Sequence, residues 1–340
     1  RLECAKCHHH PNEKWSQGDF YQLAAFFGSV KRKGQGISAP ISGEAEHIWF
    51  APGGAGVKHP VTGDVLAPKP PDGPQLPISK DEDPRLALVG WMGRPDNPFF
   101  ARAVVNRVWG EVMGRGIVHP VDDFRATNPP SNGPLLDALA EDFVARGYDL
   151  KQLVRTILTS RTYQLSSLPN ATNATDTRNF SRAYRKRLPA EPLLDAVCDL
   201  TGTTDRFDGL PAGSRAVRAW NTKLDSEFMD AFGRPDPSAD CPCERDRGTS
   251  VVQALHLMHS NKLQEKIASP GGRVAKLVKS DLPPERIVEE IYLAAYSRKP
   301  DEDELKVAVA AFKAEGATRQ SAAEDVMWSL INSAEFVFNH

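Results

Sequence analysis

The stretch NPFFARAVVNRVWGEVMG, residues 97–114, decides the fold class. Asn97-Pro98 opens a helix: a side chain that caps, then a residue whose missing N–H costs nothing in a first turn. Phe100, Val104, Val108 and Val112 return at intervals of four and mark one apolar face. Gly114 ends the helix, since glycine enters the left-handed conformation of a helix terminus without a steric cost.

The same punctuation recurs along the chain. Asp83-Pro84 opens a helix through Leu86, Leu88 and Val89. Pro134 opens another, with Leu135, Leu139 and Phe143 inside and Gly147 at its end. Asp149 caps the next, which carries Leu150, Leu153, Val154 and Ile157. Later helices start near Glu191, Val251, Pro284, Asp301 and Ser321, and Asp301 with Glu304 reads as a carboxylate capping box. The polar interval 166–181 holds Asn-x-Ser/Thr sites at Asn170, Asn173 and Asn179, which read as loop residues before glycan acceptors. No repeat of fixed period is present.

Upstream of Asp81 the character changes. Residues 1–30 read as a short helical unit, with Asp19 capping a turn through Phe20, Leu23, Ala24 and Phe27 that Gly28 closes. Residues 31–80 are rich in glycine and proline. There His47-Ile48-Trp49-Phe50 is a strand-like run, and Thr62-Gly63-Asp64 between valines marks a hairpin from Val57 to Leu66. Lys69 to Pro77 is an extended connector. The fold class is therefore mostly α: a helical domain over 81–340, a small Gly/Pro-rich β segment with linker over 31–80, and an N-terminal unit over 1–30.

That N-terminal unit carries the chemistry. Cys4-Ala5-Lys6-Cys7-His8 is the attachment signature of a c-type haem. The spacing places two sulfurs under the two vinyl groups of one porphyrin and swings the next imidazole beneath the iron. Composition alone would produce this pattern about 0.002 times in such a chain, so chance is a poor explanation. The competing reading is a disulfide or a metal site with the same letters. With haem c as cofactor, Cys4 and Cys7 carry the thioethers and His8 is the proximal iron ligand. Candidates for the sixth position are His9, His10, His47, His59, His119, His256, Met258, His259 and His340. His9 and His10 lie too close to His8 to reach the opposite face easily, so His10 suits a propionate or a neighbouring haem. His340, at the carboxy terminus, is the sixth-ligand candidate that could fold back. Trp15, Phe20, Tyr21, Phe26 and Phe27 could cover a porphyrin face or build a small core.

The chain has 340 residues and a net charge of −2, from 42 basic and 44 acidic side chains. No domain-wide positive field exists to attract phosphates, which excludes bulk nucleic-acid binding. No run of 18 apolar residues occurs, so no membrane span is expected. Covalent haem is attached on the oxidising side of a bacterial membrane, so the expected location is periplasmic or extracellular. A chain opening at Arg1, three residues before such a motif, reads as a fragment or processed product. Of five cysteines, two for haem leave Cys198, Cys241 and Cys243, an odd number. Cys241-Pro242-Cys243 could form a disulfide, bind a metal with His256 and His259 (three apart on one helix face), or stay reduced. The neighbouring Glu244, Arg245, Asp246 and Arg247 read as a salt-bridged cluster.

A further set, Asn106, Arg107, Asp122, Asp123, Arg125 and Asn128, could run acid–base chemistry or lock two helices and a loop together as buried ion pairs. No nucleophile and base arrangement accompanies it, so the structural reading is preferred and an enzyme is left open.

Residues 97–109 (NPFFARAVVNRVW), 121–131 (VDDFRATNPPS), Tyr148-Asp149-Leu150 and 160–164 (SRTYQ) together resemble a large planctomycete-type family, the domain of unknown function fifteen-fifty-three. Residues 240–247 and the closing stretch 332–340 also resemble its motifs. Residues 1–30, with Cys4 to His8, His10-Pro11 and Asp19-Phe20-Tyr21, resemble the end of domain fifteen-forty-nine, which usually precedes it. The resemblance implies a secreted or periplasmic bacterial protein, often associated with cytochrome-like modules, from polymer-degrading lineages. It implies no particular reaction. The bulk of domain fifteen-forty-nine is missing before Arg1, so the resemblance also implies cover at the N-terminus from an upstream-domain chain or from self-assembly, head to tail in the extreme case.

Three functions follow as expectations. The first is an electron-transfer haem protein with a redox partner protein. The second is a redox enzyme or binding module acting on extracellular polymers. The third is a haem-free structural extracellular protein.

Overall fold

In the computed structural model the described residues are 2–34, 46–53, 56–219, 225–235, 245, 248 and 250–339. Helices dominate among them. The chain divides into two compact units, Arg1–Tyr184 and Arg185–His340. That division falls inside the stretch 81–340, which the sequence presents as one helical domain.

The first unit begins with a 3-10 turn, Glu3–Lys6, and helix α1, Gln17–Ala24, which runs into a second 3-10 turn, Ala25–Phe27. Ser16, not Asp19, is the N-cap. Its hydroxyl accepts from the Asp19 N–H, and Asp19 reaches back to the Ser16 N–H at 2.8 Å, a reciprocal capping box. The ribbon β1 (Val30–Gly34) and β2 (Glu46–Phe50) pairs antiparallel with Val30 opposite Phe50. The hairpin β3 (Val57–Lys58) and β4 (Val65–Leu66) closes through Gly63 at φ +79°. Helices α2 (Pro84–Met92), α3 (Phe100–Met113), α4 (Gly133–Ala145) and α5 (Leu150–Leu158) follow. Asp83, Asn132 and Asp149 cap α2, α4 and α5 with their side chains. Asn97 accepts from the N–H groups of Phe99 and Phe100, the first donors of α3.

On α3 the buried stripe lies one residue over from the sequence expectation. Ala101, Val105, Trp109 and Met113 face the core, while Phe100, Val104, Val108 and Val112 are only partly covered. Two adjacent i, i+4 rows are both apolar here. The one beside Asn106 and Gly110 wins because those positions let other backbone come close. A Cβ on Gly110 would lie 2.9 Å from the Val121 side chain. The core joins this stripe to Ile117, Val118, Leu136, Leu139, Phe143, Leu153, Ile157 and Phe180, with Trp109 edge-on to Phe180 at 5.3 Å.

The loop after α3 is organised by one buried amide. Asn106 is fully buried and donates to the Val118 carbonyl at 2.9 Å and the Val121 carbonyl at 2.7 Å. Its side-chain oxygen accepts from the Val118 N–H at 2.9 Å. Gly116 passes so close that a Cβ there would sit 2.2 Å from the Val118 carbonyl.

The second unit contains β5 (Lys186–Arg187), α6 (Ala190–Thr201), α7 (Glu227–Ala231), α8 (Val251–His259), α9 (Asn261–Ile267), α10 (Arg273–Val278), α11 (Pro284–Tyr296), α12 (Glu302–Ala311), α13 (Arg319–Ile331), α14 (Ala334–Val337) and β6 (Phe338–Asn339). Its core is Leu193, Leu194 and Val197 of α6 against Ile287 and Ile291 of α11 and Met327 and Ile331 of α13. β6 returns to pair antiparallel with β5, Lys186 opposite Asn339.

Arg298 ties this unit's last turns together, binding Glu304 and Glu335 through bidentate contacts, each at 2.7 Å. Asp301 and Glu304 form the expected capping box. The Arg298 hydrogen bonds, with the Asp301 N–H, hold the Glu304 carboxyl down to about 2. A carboxylate whose folded pKa is depressed adds stability that is complete above its unfolded pKa and is lost as pH falls through the folded one. The second unit is therefore expected to lose stability as pH drops from about 4.5 to about 2. Segment-resolved hydrogen exchange of the parent and Glu304→Gln across that range checks it: the variant's pH dependence is shallower.

Among the described residues, no helix is long and apolar enough to cross a membrane.

Candidate functional site

Cys4 sits in the Glu3–Lys6 turn and Cys7 is its C-terminal cap in a helical conformation. With three residues per turn, side chains at i and i+3 eclipse, so both thiols project from one side. Ala5, between them, is completely buried, whereas Cys4, Cys7 and His8 are exposed. Both thiols are free.

α1 holds this turn in place. Gln17 and Tyr21 stand one helical turn apart on the same face. Gln17 Nε2 donates to the Lys6 carbonyl at 3.0 Å and the Tyr21 hydroxyl donates to the same oxygen at 3.3 Å. The backbone between the two cysteines is thereby pinned to a helix. Sequence reasoning missed Gln17 and took Tyr21 for a ring against a porphyrin or a small core; the signal was two hydrogen-bond donors at i, i+4 behind the motif.

The three consecutive histidines are not equivalent. His8 Nδ1 lies 2.6 Å from the His9 carbonyl oxygen. A carbonyl only accepts, so Nδ1 carries a proton, and in the neutral ring Nε2 then keeps its lone pair. His9 Nδ1 accepts from the Gln17 N–H at 3.1 Å, an otherwise unpaired donor at the start of α1. His10 Nδ1 accepts from the Asn12 N–H at 3.2 Å. In their neutral forms, His9 and His10 therefore carry the proton on Nε2. Of the three neutral rings, His8 alone presents an Nε2 lone pair, the form in which an imidazole can ligate a metal, and a hydrogen-bonded Nδ1–H orients and strengthens such a ligand. His10 instead offers a donor, which suits an anionic group.

The remaining candidates divide. His59, in the β3–β4 turn, has its ring 5.6 Å from that of Tyr21, but its Nδ1 accepts from the N–H groups of Val61 and Thr62. His119 is exposed on the loop after α3. The side chain of His47, all of His340, and Cys241 and Cys243 lie outside the described residues. So do Glu244, Asp246 and Arg247, whereas Arg245 pairs with Glu191 at 2.7 Å. Of the aromatics, Phe26 is core, Phe27 is 51 % exposed, and Trp15, Phe20 and Tyr21 are half-buried around the motif.

Loop 119–131 is hydrogen-bonded to the segment that follows the motif. The Glu13 carboxylate accepts from the Ala126 N–H at 2.9 Å. Arg125 binds Asp123 through two hydrogen bonds of 2.5 Å. That pair raises the Arg125 guanidinium further above its ordinary value, with Glu13 and Cys4 adding to the effect. Arg107 binds Asp122 at 2.9 and 2.6 Å. These ion pairs are partly solvent-exposed, so the buried lock expected of this set is the Asn106 amide and not a salt bridge.

In the second unit, Asp205, Phe207, Glu227, Phe228, His256 and Lys266 line a cleft. Burial lowers the His256 pKa, and its ring meets Phe228 edge-on at 5.5 Å. Met258 and His259 are exposed on α8. Cys198 is buried, with the Lys266 ammonium 3.6 Å from its sulfur, and burial pushes its thiol up. Among the described residues, no group of three or more His, Cys, Asp or Glu is arranged to hold a metal ion.

Residues 1–32 match the family PSCyt2, protein of unknown function (DUF1549). No curated protein and no solved structure matches the chain. Residues 84–312, which take in α2 to α12, match PSD1, protein of unknown function (DUF1553), and the chain belongs to that family.

Proposed function

We propose that this chain is an extracytoplasmic c-type haem protein for electron transfer. The observation that carries the proposal is the donor set: two free, exposed thiols on one side of a pinned turn, followed by an imidazole with an available Nε2. These residues fit haem c. Cys4 and Cys7 would hold it by thioethers, His8 would be the proximal ligand, and His10 would donate to a propionate. His340 is retained as the sixth-ligand candidate on the sequence argument alone. Haem bound there would supply a one-electron couple. The buried Ala5 and the Gln17 and Tyr21 hydrogen bonds to Lys6 hold the thiols in register, which lowers the ordering cost of attachment.

The oxidising chemistry of attachment favours the bacterial periplasm or exterior, and the family likeness favours a planctomycete-type source. A redox partner protein is required for the activity. The His256 cleft, with acids and an aromatic in its wall, supports a second reading: a redox enzyme or binding module.

Expression with a working haem-attachment system, oxidised and reduced absorption spectra and a pyridine haemochrome assay test the proposal. A sharp c-type α band in a low-spin protein supports the carrier. A high-spin spectrum favours the second reading. No Soret band sinks both and leaves the haem-free structural protein.

A further inference from the structure

The second unit holds a space that the haem reading does not use. Helix α6 packs on α7 and α9, and α8 packs on the same two, so the four helices close a ring. Between them lies a cleft of about 130 Å³. A cavity of roughly 150 Å³ takes up one benzene molecule, so the room here is that of a single six-membered ring. Leu194 and Val197 of α6, Leu263 of α9 and the buried Phe207 give the cleft an apolar wall.

The charges in the remaining wall balance. Three acidic and three basic side chains line it. Lys266 lies 3.5 Å from Asp205, and Lys262 lies 3.5 Å from Glu227. Arg206 and Asp225, one of each sign, are exposed to water. No net charge is left to select an ion. Three neutral polar groups remain. Ser226 and Ser260 accept helix N–H groups with their side-chain oxygens and keep a hydroxyl hydrogen to donate. His256 stands edge-on to Phe228 and Phe232, at 5.5 and 6.2 Å. Burial lowers its pKa, so the ring is neutral at pH 7 and offers one donor and one acceptor. Among the described residues, no hydrogen bond or ion pair engages its nitrogens.

We propose that this cleft binds a small neutral phenol, one aromatic ring carrying one hydroxyl. The proposal rests on the binding-module reading of the cleft, which it deepens, and is independent of the haem. The ring displaces water from the apolar wall and meets Phe228. The hydroxyl can donate to the acceptor nitrogen of His256 and accept from a serine hydroxyl. A sugar ring brings several hydroxyls to three polar groups and leaves the others without partners. A carboxylate or an ammonium upsets ion pairs that already balance.

The test adds phenol, toluene, benzoate or glucose to the full chain and follows the NMR signals of His256 and of the exposed His259. Phenol is expected to move the His256 signals with a dissociation constant on the order of 1 mM, and to leave His259 unmoved. Toluene is expected to bind about threefold to tenfold more weakly, the worth of one hydrogen bond. In His256→Leu, with its unfolding midpoint measured alongside, that preference is expected to vanish. Should the variant not fold, the phenol-to-toluene ratio of the parent decides. Phenol that leaves His256 unmoved, or binds no better than toluene, overturns the proposal. Benzoate or glucose acting in its place overturns the phenol class and keeps the cleft as a binding site. Four probes without effect on His256 overturn the binding-module reading as well.

Discussion

Asn106→Ala is expected to destabilise the first unit by about 3–5 kcal/mol, the largest effect of any polar substitution there. The side chain is completely buried and makes three hydrogen bonds of 2.7 to 2.9 Å with Val118 and Val121. Each partner is a backbone group that cannot turn elsewhere, because Gly116 and Gly110 hold the loop against α3. Alanine would leave one N–H and two carbonyls short of a partner in a place with little room for water. Each buried group left so costs about 1–3 kcal/mol, with some relaxation. The neighbouring Arg107→Ala supplies the contrast. It breaks a bidentate pair with Asp122, but that pair is partly exposed, so the expected loss is under about 1 kcal/mol. Denaturant unfolding, with hydrogen exchange to assign the transition to residues 2–184, measures both. Equal losses in the two variants would show that the buried amide is not the organising contact.

The second large effect concerns cofactor attachment. On the haem proposal, Cys4→Ala with Cys7→Ala is expected to abolish covalent attachment entirely, since no other described thiol lies on that turn. Each single variant is expected to retain one thioether, with the reduced α band displaced from that of the parent. His8→Ala is expected to leave the thioethers possible but change the spin state, because the available Nε2 is lost. His9→Ala is expected to keep the spectrum and weaken the start of α1, whose Gln17 N–H it accepts. Haemochrome yield on denatured protein and the spin-state bands separate these outcomes. A double cysteine variant that still carries haem after denaturation would end the c-type assignment.

The helices were legible because their ends are written in local chemistry. Asp83-Pro84, Asp149 and the Asp301 to Glu304 box act within four residues of themselves, and each begins a helix where the letters place it. The buried face of α3 was less legible. Two apolar rows run side by side on that helix, and only the approach of the 116–121 backbone to Asn106 and Gly110 distinguishes them. The cap of α1 was misplaced for a related reason. Ser16 and Asp19 are both capping residues, and only their mutual hydrogen bonds assign the roles.

The sequence by itself determined the helical class, most of the caps and the spacing that groups Cys4, Cys7 and His8, because these depend on neighbours within a turn or two. Tertiary structure decided which imidazole presents a free Nε2, because tautomers follow hydrogen-bond partners that the fold supplies. It also decided that the chain divides after Tyr184, and that Glu13 and Ala126, distant in sequence, meet. Contacts at such separations arise only when the core of α3, α4 and α5 has closed, and nothing in the local pattern of either segment encodes them.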